Sequence, residues 1–318
     1  MMMTLIKKCE NLPVGAIATA VGLATLSNVF AAAFGAVSIR HVTMFLSSFI
    51  WLAAFIKIVF FTKSFIADYN NVVPASLYAT FTMLTMILGN WIFGFNAGLG
   101  RGIWLAGVIL HAIHILVFTY RNVVKGVKLD TFVPSWFVTF VAFLVSGVVG
   151  ADKGMPGLMN GFIIYGLAIY SIIFPCMLVK VIRVGIKPQF ELTRAIFLAP
   201  TSLVFVTLLN AWTEPPHWLV FGLYSILFCT ILYMCYKIPI MLSKPFNPGH
   251  AALTFPSAIA LVATFRMSRF LLANGYDFLG NFINNVFGLQ LWFTTAIMAY
   301  VAYNFVLMFV RSFEKKTV

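Results

Sequence analysis

The sequence predicts an all-α polytopic membrane protein. Of its 318 residues, 62% are hydrophobic and 9% charged, whereas a soluble globular domain carries about 25% charged residues. The apolar residues gather into ten runs, each near the roughly 20 residues needed to cross a bilayer as a helix. The segments joining the runs are too short to hold a soluble domain.

The runs cover about 13–36, 42–61, 74–95, 102–120, 131–150, 157–181, 194–212, 217–240, 250–272 and 286–311. Residues 1–318 are therefore expected to form a single transmembrane domain with short tails. Lys7 and Lys8 precede the first run as in a secretory signal. That run is long enough to span and lacks a small-x-small cleavage context, so a retained first helix is expected.

The formal net charge is +13. Nucleic-acid binders cluster such charge on a soluble face, whereas here it falls in short gaps between apolar runs, which argues against a nucleic-acid partner. Of the 21 basic residues, five (Arg40, Arg101, Lys153, Arg266 and Arg269) fall on one side of the predicted bilayer, and the rest, including Lys57, Lys315 and Lys316, on the other. Basic residues favour the cytoplasmic side. Both termini are accordingly expected in the cytoplasm, with the chain integral to the plasma (inner) membrane. An even number of crossings follows.

No nucleophile with a base, phosphate loop or soluble catalytic domain can be traced, so no enzymatic activity and no cofactor are expected. The cysteines have no metal or disulfide spacing and are expected to be buried thiols. His111 and His114 stand one turn apart without a third ligand, and no metal is expected there. His250, at the start of the ninth run, is a candidate pH-responsive group.

Alternate runs share a feature. Pro13, Pro74, Pro134, Pro200 and Pro256 fall near the start or in the first half of runs one, three, five, seven and nine, at intervals of 61, 60, 66 and 56 residues. This reads as five helical hairpins, one per interval. The same runs carry small and hydroxyl residues: Gly15, Thr19 and Gly22; Thr82, Thr85 and Gly89; Thr139; Thr201; Thr254 and Ser257. Small residues let helices approach closely, and hydroxyls bond across helices or face water. The expectation is five inner helices around a narrow path, with the hydroxyls lining it and five outer helices in lipid. Trp51, Trp104, Trp212 and Trp218 are expected to face lipid or its interface. Pro134, Pro200 and Pro256, with Gly15, Gly22 and Gly89, are the candidate bends. In the ninth run Phe255 precedes Pro256, which places a bulky apolar side chain at a bend beside the path.

Four segments, PVGAIATAVGLATLS (13–27), TMILGN (85–90), KPQFELTRAIFLAPTSL (187–203) and LTFPSAIAL (253–261), resemble the tellurite-resistance/dicarboxylate transporter family. That family takes in bacterial tellurite-resistance proteins, fungal malic-acid transporters and the slow anion channels of plant guard cells. The resemblance implies five hairpins in quasi-fivefold arrangement, odd helices lining a central pore, and a homotrimer. It also implies a phenylalanine gate, a position that Phe255 matches. Ala20 and Thr82 stand where bacterial relatives have mid-helix prolines, so bends there are expected to be shallower.

The eight acidic residues fall in loops or at helix ends, leaving no carboxylate relay at depth of the kind coupled carriers use. A gated channel for small monovalent anions is the expected function. The alternative is a C4-dicarboxylate (malate) carrier or a tellurite or drug efflux transporter of the same family. Small inorganic or carboxylate anions and the lipid bilayer are the expected partners. Arg266 and Arg269 are candidate charges of the outer mouth, with contact to lipid headgroups the competing role.

Overall fold

The computed structural model describes residues 2–314, with side chains for 6–313. Lys315 and Lys316, used above to orient the chain, lie outside the described residues. The helices are α1 (Met2–Cys9), α2 (Val14–Phe34), α3 (Val37–Phe60), α4 (Thr62–Tyr69), α5 (Val72–Phe93), α6 (Ala97–Val124), α7 (Trp136–Val148), α8 (Pro156–Arg183), α9 (Pro188–Ala211), α10 (His217–Leu242), α11 (Pro248–Ala273) and α12 (Asp277–Glu314). Among the described residues nine of these are long and apolar enough to span a bilayer. Lys8 Nζ donates to Ser312 Oγ (3.0 Å), so the two ends of the chain lie on one face.

Helices α2, α5, α7, α9 and α11 pack in sequence, and α11 closes on α2 to complete a ring. Each ring member also packs against the helix that follows it in the chain. Burial separates the two sets: the apolar windows of α2, α5, α9 and α11 are 61–89% buried, and those of α3, α6, α8, α10 and α12 only 22–33%. The outer helices expose Phe45, Phe49, Ile109, Ile172 and Trp292. Such a surface is costly in water at about 25 cal/mol per Å² but not in lipid.

Of the five prolines, Pro13 is the N-cap of α2, Pro74 lies in the first turn of α5 and Pro134 lies in the turn before α7, so Pro134 is not the expected bend within a helix. Pro200 and Pro256 lie at a change of helix type. α9 opens as a 3-10 helix over Pro188–Phe197 and α11 over Pro248–Leu253, each turning into α-helix just before its proline, Pro200 or Pro256. A proline has no N–H to donate and its ring clashes with the carbonyl four residues back, so a regular α-helix does not run unbroken through it, and the change of helix type falls at that point. Gly15 and Gly22, in contrast, lie in the unbroken helix α2, and Gly89 lies in the regular part of α5, whose break falls earlier at Tyr78. These three glycines are sites of close approach rather than bends.

The fifth run departs most from expectation. A continuous span over 131–150 is replaced by α7, in which Trp136–Phe140 and Val145–Val148 flank a 3-10 turn at Ala142–Leu144. At 1.5 Å per residue α7 is roughly 20 Å long, short of the ~30 Å hydrocarbon layer. Irregular backbone at membrane depth persists only where protein satisfies it. Here Tyr165 OH donates to the Phe140 carbonyl (2.9 Å), Thr207 Oγ1 to that of Leu144 (3.2 Å), Trp104 Nε1 to that of Ser146 (3.2 Å) and Asn210 Nδ2 to those of Gly147 (3.1 Å) and Val148 (3.0 Å). The His111 imidazole bonds the Thr139 carbonyl through Nε2 (3.0 Å).

These bonds correct two expectations. Trp104 is fully buried, with its indole turned inward, while Trp218 is 75% exposed on the outer surface. The thiols of Cys176, Cys229 and Cys235 are exposed on α8 and α10 instead of buried.

Candidate functional site

Two cavities lie on the axis of the helix ring, and every lining residue of both comes from α2, α5, α7, α9, α11 or the turn after α7. The larger, about 410 Å³, lies toward the face opposite the chain ends. The smaller, about 20 Å³, has room for roughly one water. Its collar is built from small side chains, Ala18, Ala142, Ala199, Ala251 and Ala252, with Phe137, Leu77 and Thr80. Phe255 is the one described residue that lines both cavities.

The local sequence explains this placement. Pro256 fixes the junction at which the 3-10 turn becomes α-helix, and Phe255 is the second residue past it, 5% exposed. Ser257 and Thr254 bond carbonyls of the preceding turn, Leu253 (2.7 Å) and Ala251 (2.7 Å), which ties down the backbone on either side. No aromatic ring stacks on Phe255 among the described residues. Its walls are aliphatic, from Ile87, Val145, Val206 and Ile259.

The large cavity ends in a polar ring. Asn28 of α2, Asn90 of α5, Asp152 after α7, Asn210 of α9 and Arg266 of α11 all line it. Asn90 and Asn210 each lie about one turn beyond the apolar lining of their own helix, Ile87 and Val206, and Asp152 and Arg266 are the last lining residues of their segments. Their spacing, 62, 62, 58 and 56 residues, repeats the hairpin interval. Each asparagine oxygen is held by a cation. Arg40 Nε donates to Asn28 Oδ1 (2.8 Å), Lys153 Nζ to Asn90 Oδ1 (2.6 Å), and Arg266 Nη2 to Asn210 Oδ1. Lys153 is fully buried, also donates to Asp152 Oδ1, and sits 3.8 Å from the centroid of the Phe93 ring. Burial pushes its ammonium below the ordinary lysine range; Asp152 opposes the shift, and Arg40 and Arg101 add to it. Lys153 and Arg40 thus stand beside the Asp152 carboxylate, while Arg266 lines the same cavity with no acid paired to it among the described residues.

The sequence-predicted residues divide. Phe255 and Arg266 line the cavities, and Pro256 borders the smaller one. Arg269 is exposed, with its guanidinium over the Phe265 ring at 5.1 Å. None of the seven hydroxyl residues expected to line the path is in either lining among the described residues. Thr19 bonds the Gly15 carbonyl (2.9 Å), Thr82 meets His111 Nδ1 (2.8 Å), Thr85 accepts from Trp51 Nε1 (2.8 Å), Thr139 meets His114 Nε2 (3.2 Å) and Thr201 meets Tyr170 OH (3.0 Å). A hydroxyl away from water takes its own helix carbonyl or a facing helix as partner. His250 is likewise fully buried and bridges backbone: its Nδ1 accepts from the Asn247 amide (3.2 Å), and its Nε2 lies 3.3 Å from the Met241 carbonyl.

The asparagine ring escaped the sequence reading. The signal was present: one polar residue near the far end of each inner run, at the same interval as the prolines.

A ring of buried helices around an interrupted axial path, sheathed by apolar helices, defines an integral membrane protein of the channel and transporter class. The chain belongs to the voltage-dependent anion channel family, whose family model matches residues 11–311. No curated protein matches the chain.

Proposed function

We propose that this chain is a gated channel for small monovalent anions, held closed by Phe255. The observation that carries the reading is that Phe255 alone among the described residues borders both axial cavities. Moving one phenyl ring would join them. Family membership supports anions as the permeating species, and the polar ring supports the sign of the charge, since three cations, Arg40, Lys153 and Arg266, bond its asparagines and it holds a single carboxylate. Cations meet repulsion there, and weakly hydrated anions meet donors.

The C4-dicarboxylate carrier is less favoured. Asp152 is the only acid in either lining among the described residues, and it sits in the outer ring beside Lys153, away from Phe255. Proton coupling needs a titratable group along the path.

In this reading residues 1–318 form one membrane domain of ten crossings, with the broken α7 and α8 forming the third of five hairpins in a quasi-fivefold array. Both termini face the cytoplasm, and the polar ring opens to the outside of the plasma (inner) membrane. Three protomers associate through their lipid-facing helices, each with its own pore.

The test is nitrate and chloride flux from liposomes holding wild type or Phe255→Ala. The variant should raise flux at least tenfold. Equal flux from a correctly inserted variant overturns the gate.

A further inference from the structure

We infer that the outer cavity is a binding site for an organic monocarboxylate, its head on Arg266 and the asparagine ring and its hydrocarbon part against the apolar wall above Phe255. The inference deepens the proposed pathway, since this chamber is its outer half.

Arg266 provides the head site. Its guanidinium has five N–H donors, of which one is used, on Asn210, and no acid pairs with it among the described residues. A half-buried cation on a largely apolar wall lacks a counter-ion, and its planar fork matches a carboxylate in bidentate geometry. Asn28 and Asn90 add donors. Their oxygens are taken by Arg40 and Lys153, while their amide N–H groups make no bond among the described residues. The ring's own carboxylate, Asp152, is occupied by Lys153.

Size and polarity then select the tail. The chamber holds about 410 Å³, within the ~300–1,000 Å³ usual for small-molecule sites and far more than a bare halide needs. From the ring inward the wall includes Val262, Ile259, Val206 and Ile87, ending on Phe255, and its one hydroxyl residue, Thr25, already donates to the Val21 carbonyl (2.8 Å). Arg266 lies eleven residues past Phe255, roughly 16 Å along a helix. A second carboxylate would be forced against that aliphatic wall without a partner. The site therefore favours one charged end and one apolar end.

The experiment is calorimetric titration of the chain in lipid nanodiscs with sodium benzoate, sodium acetate and disodium succinate, with empty nanodiscs subtracted. Wild type should bind benzoate at least tenfold more tightly than acetate or succinate, and Arg266→Gln should weaken benzoate at least tenfold while melting near the wild-type temperature. Benzoate binding no tighter than acetate, a succinate preference, or full benzoate affinity in Arg266→Gln overturns the site. The ligand ranking in wild type decides the matter even if the variant fails to fold. Because the titration needs no conduction, its failure is separable from failure of the Phe255 gate, which the flux assay reads.

Discussion

Gly22 of α2 lies directly against the backbone of Phe255: a Cβ placed on Gly22 would come within 2.8 Å of the Phe255 amide nitrogen and 2.9 Å of Thr254 Cβ. Met298 Cε, also at 2.9 Å, is the end of a flexible side chain, but the other two atoms are backbone and a branched stem, which cannot swing aside. The inner helices α2 and α11 are thus closely packed where the proposed gate is mounted. Gly22→Ala should destabilise the protein by about 1–3 kcal/mol, as overpacked cores do, and raise basal anion leak by shifting the start of α11. A thermal melt with liposome flux on the same preparation checks both effects. An unchanged melt and unchanged leak would show that α2 yields there.

The size of the side chain at 255 should grade the leak. Phe255→Leu leaves most of the plug, and its nitrate flux should fall between wild type and Phe255→Ala. An order in which leucine leaks more than alanine would contradict steric occlusion.

The broken helix α7 depends on donors from its neighbours. Trp104→Phe keeps a ring but removes the indole N–H from the Ser146 carbonyl, and Thr207→Val does the same at Leu144. Losing the indole N–H leaves the buried Ser146 carbonyl without that partner, at a cost of about 1–3 kcal/mol, while the Leu144 carbonyl keeps its bond as the N-cap of Val145–Val148, so Thr207→Val should cost less. Both should lower the melting temperature. Outward-facing Trp218→Phe should not.

Lys57 is nearly buried and held by Asp68 (2.7 Å) and the Leu12 carbonyl (2.8 Å), while Tyr78 OH also donates to Asp68 (2.9 Å). Asp68→Ala strands the ammonium and should cost roughly 3 kcal/mol, the lower end for a broken buried pair because Asp68 is partly exposed. Removing both charges, in Lys57→Met with Asp68→Ala, should recover part of that loss. A denaturation series on the two variants measures the difference.

The outer ring should respond to alkaline pH. Burial lowers the Lys153 pKa, so Lys153 loses its charge as pH rises through that lowered value. The ring then becomes less positive, and anion flux through Phe255→Ala should fall with rising pH. Lys153→Met should show the reduced flux at neutral pH and lose the alkaline dependence. Persistence of that dependence in Lys153→Met would assign it to another group.

The class of protein was legible in the chain because the requirement is local. A run of about 20 apolar residues spans a bilayer whatever its neighbours do, and a proline alters the helix it occupies. The ten runs, the roughly 60-residue interval and Phe255 beside Pro256 all follow from such one-dimensional signals. The interruption of α7 was not legible, since whether a helix breaks at membrane depth depends on distant donors: His111, Trp104, Tyr165, Thr207 and Asn210. The direction of each hydroxyl was not legible either. Thr82 and Thr139 repeat as a lining would, yet facing histidines on α6 turn them away from the axis. What the sequence alone determined is a set of apolar runs of spanning length, prolines recurring in alternate runs, and a bulky residue beside one of those prolines. Only the tertiary structure decided that Phe255 borders two cavities and that five polar residues of separate segments line one of them, because both depend on how five helices close around a common axis.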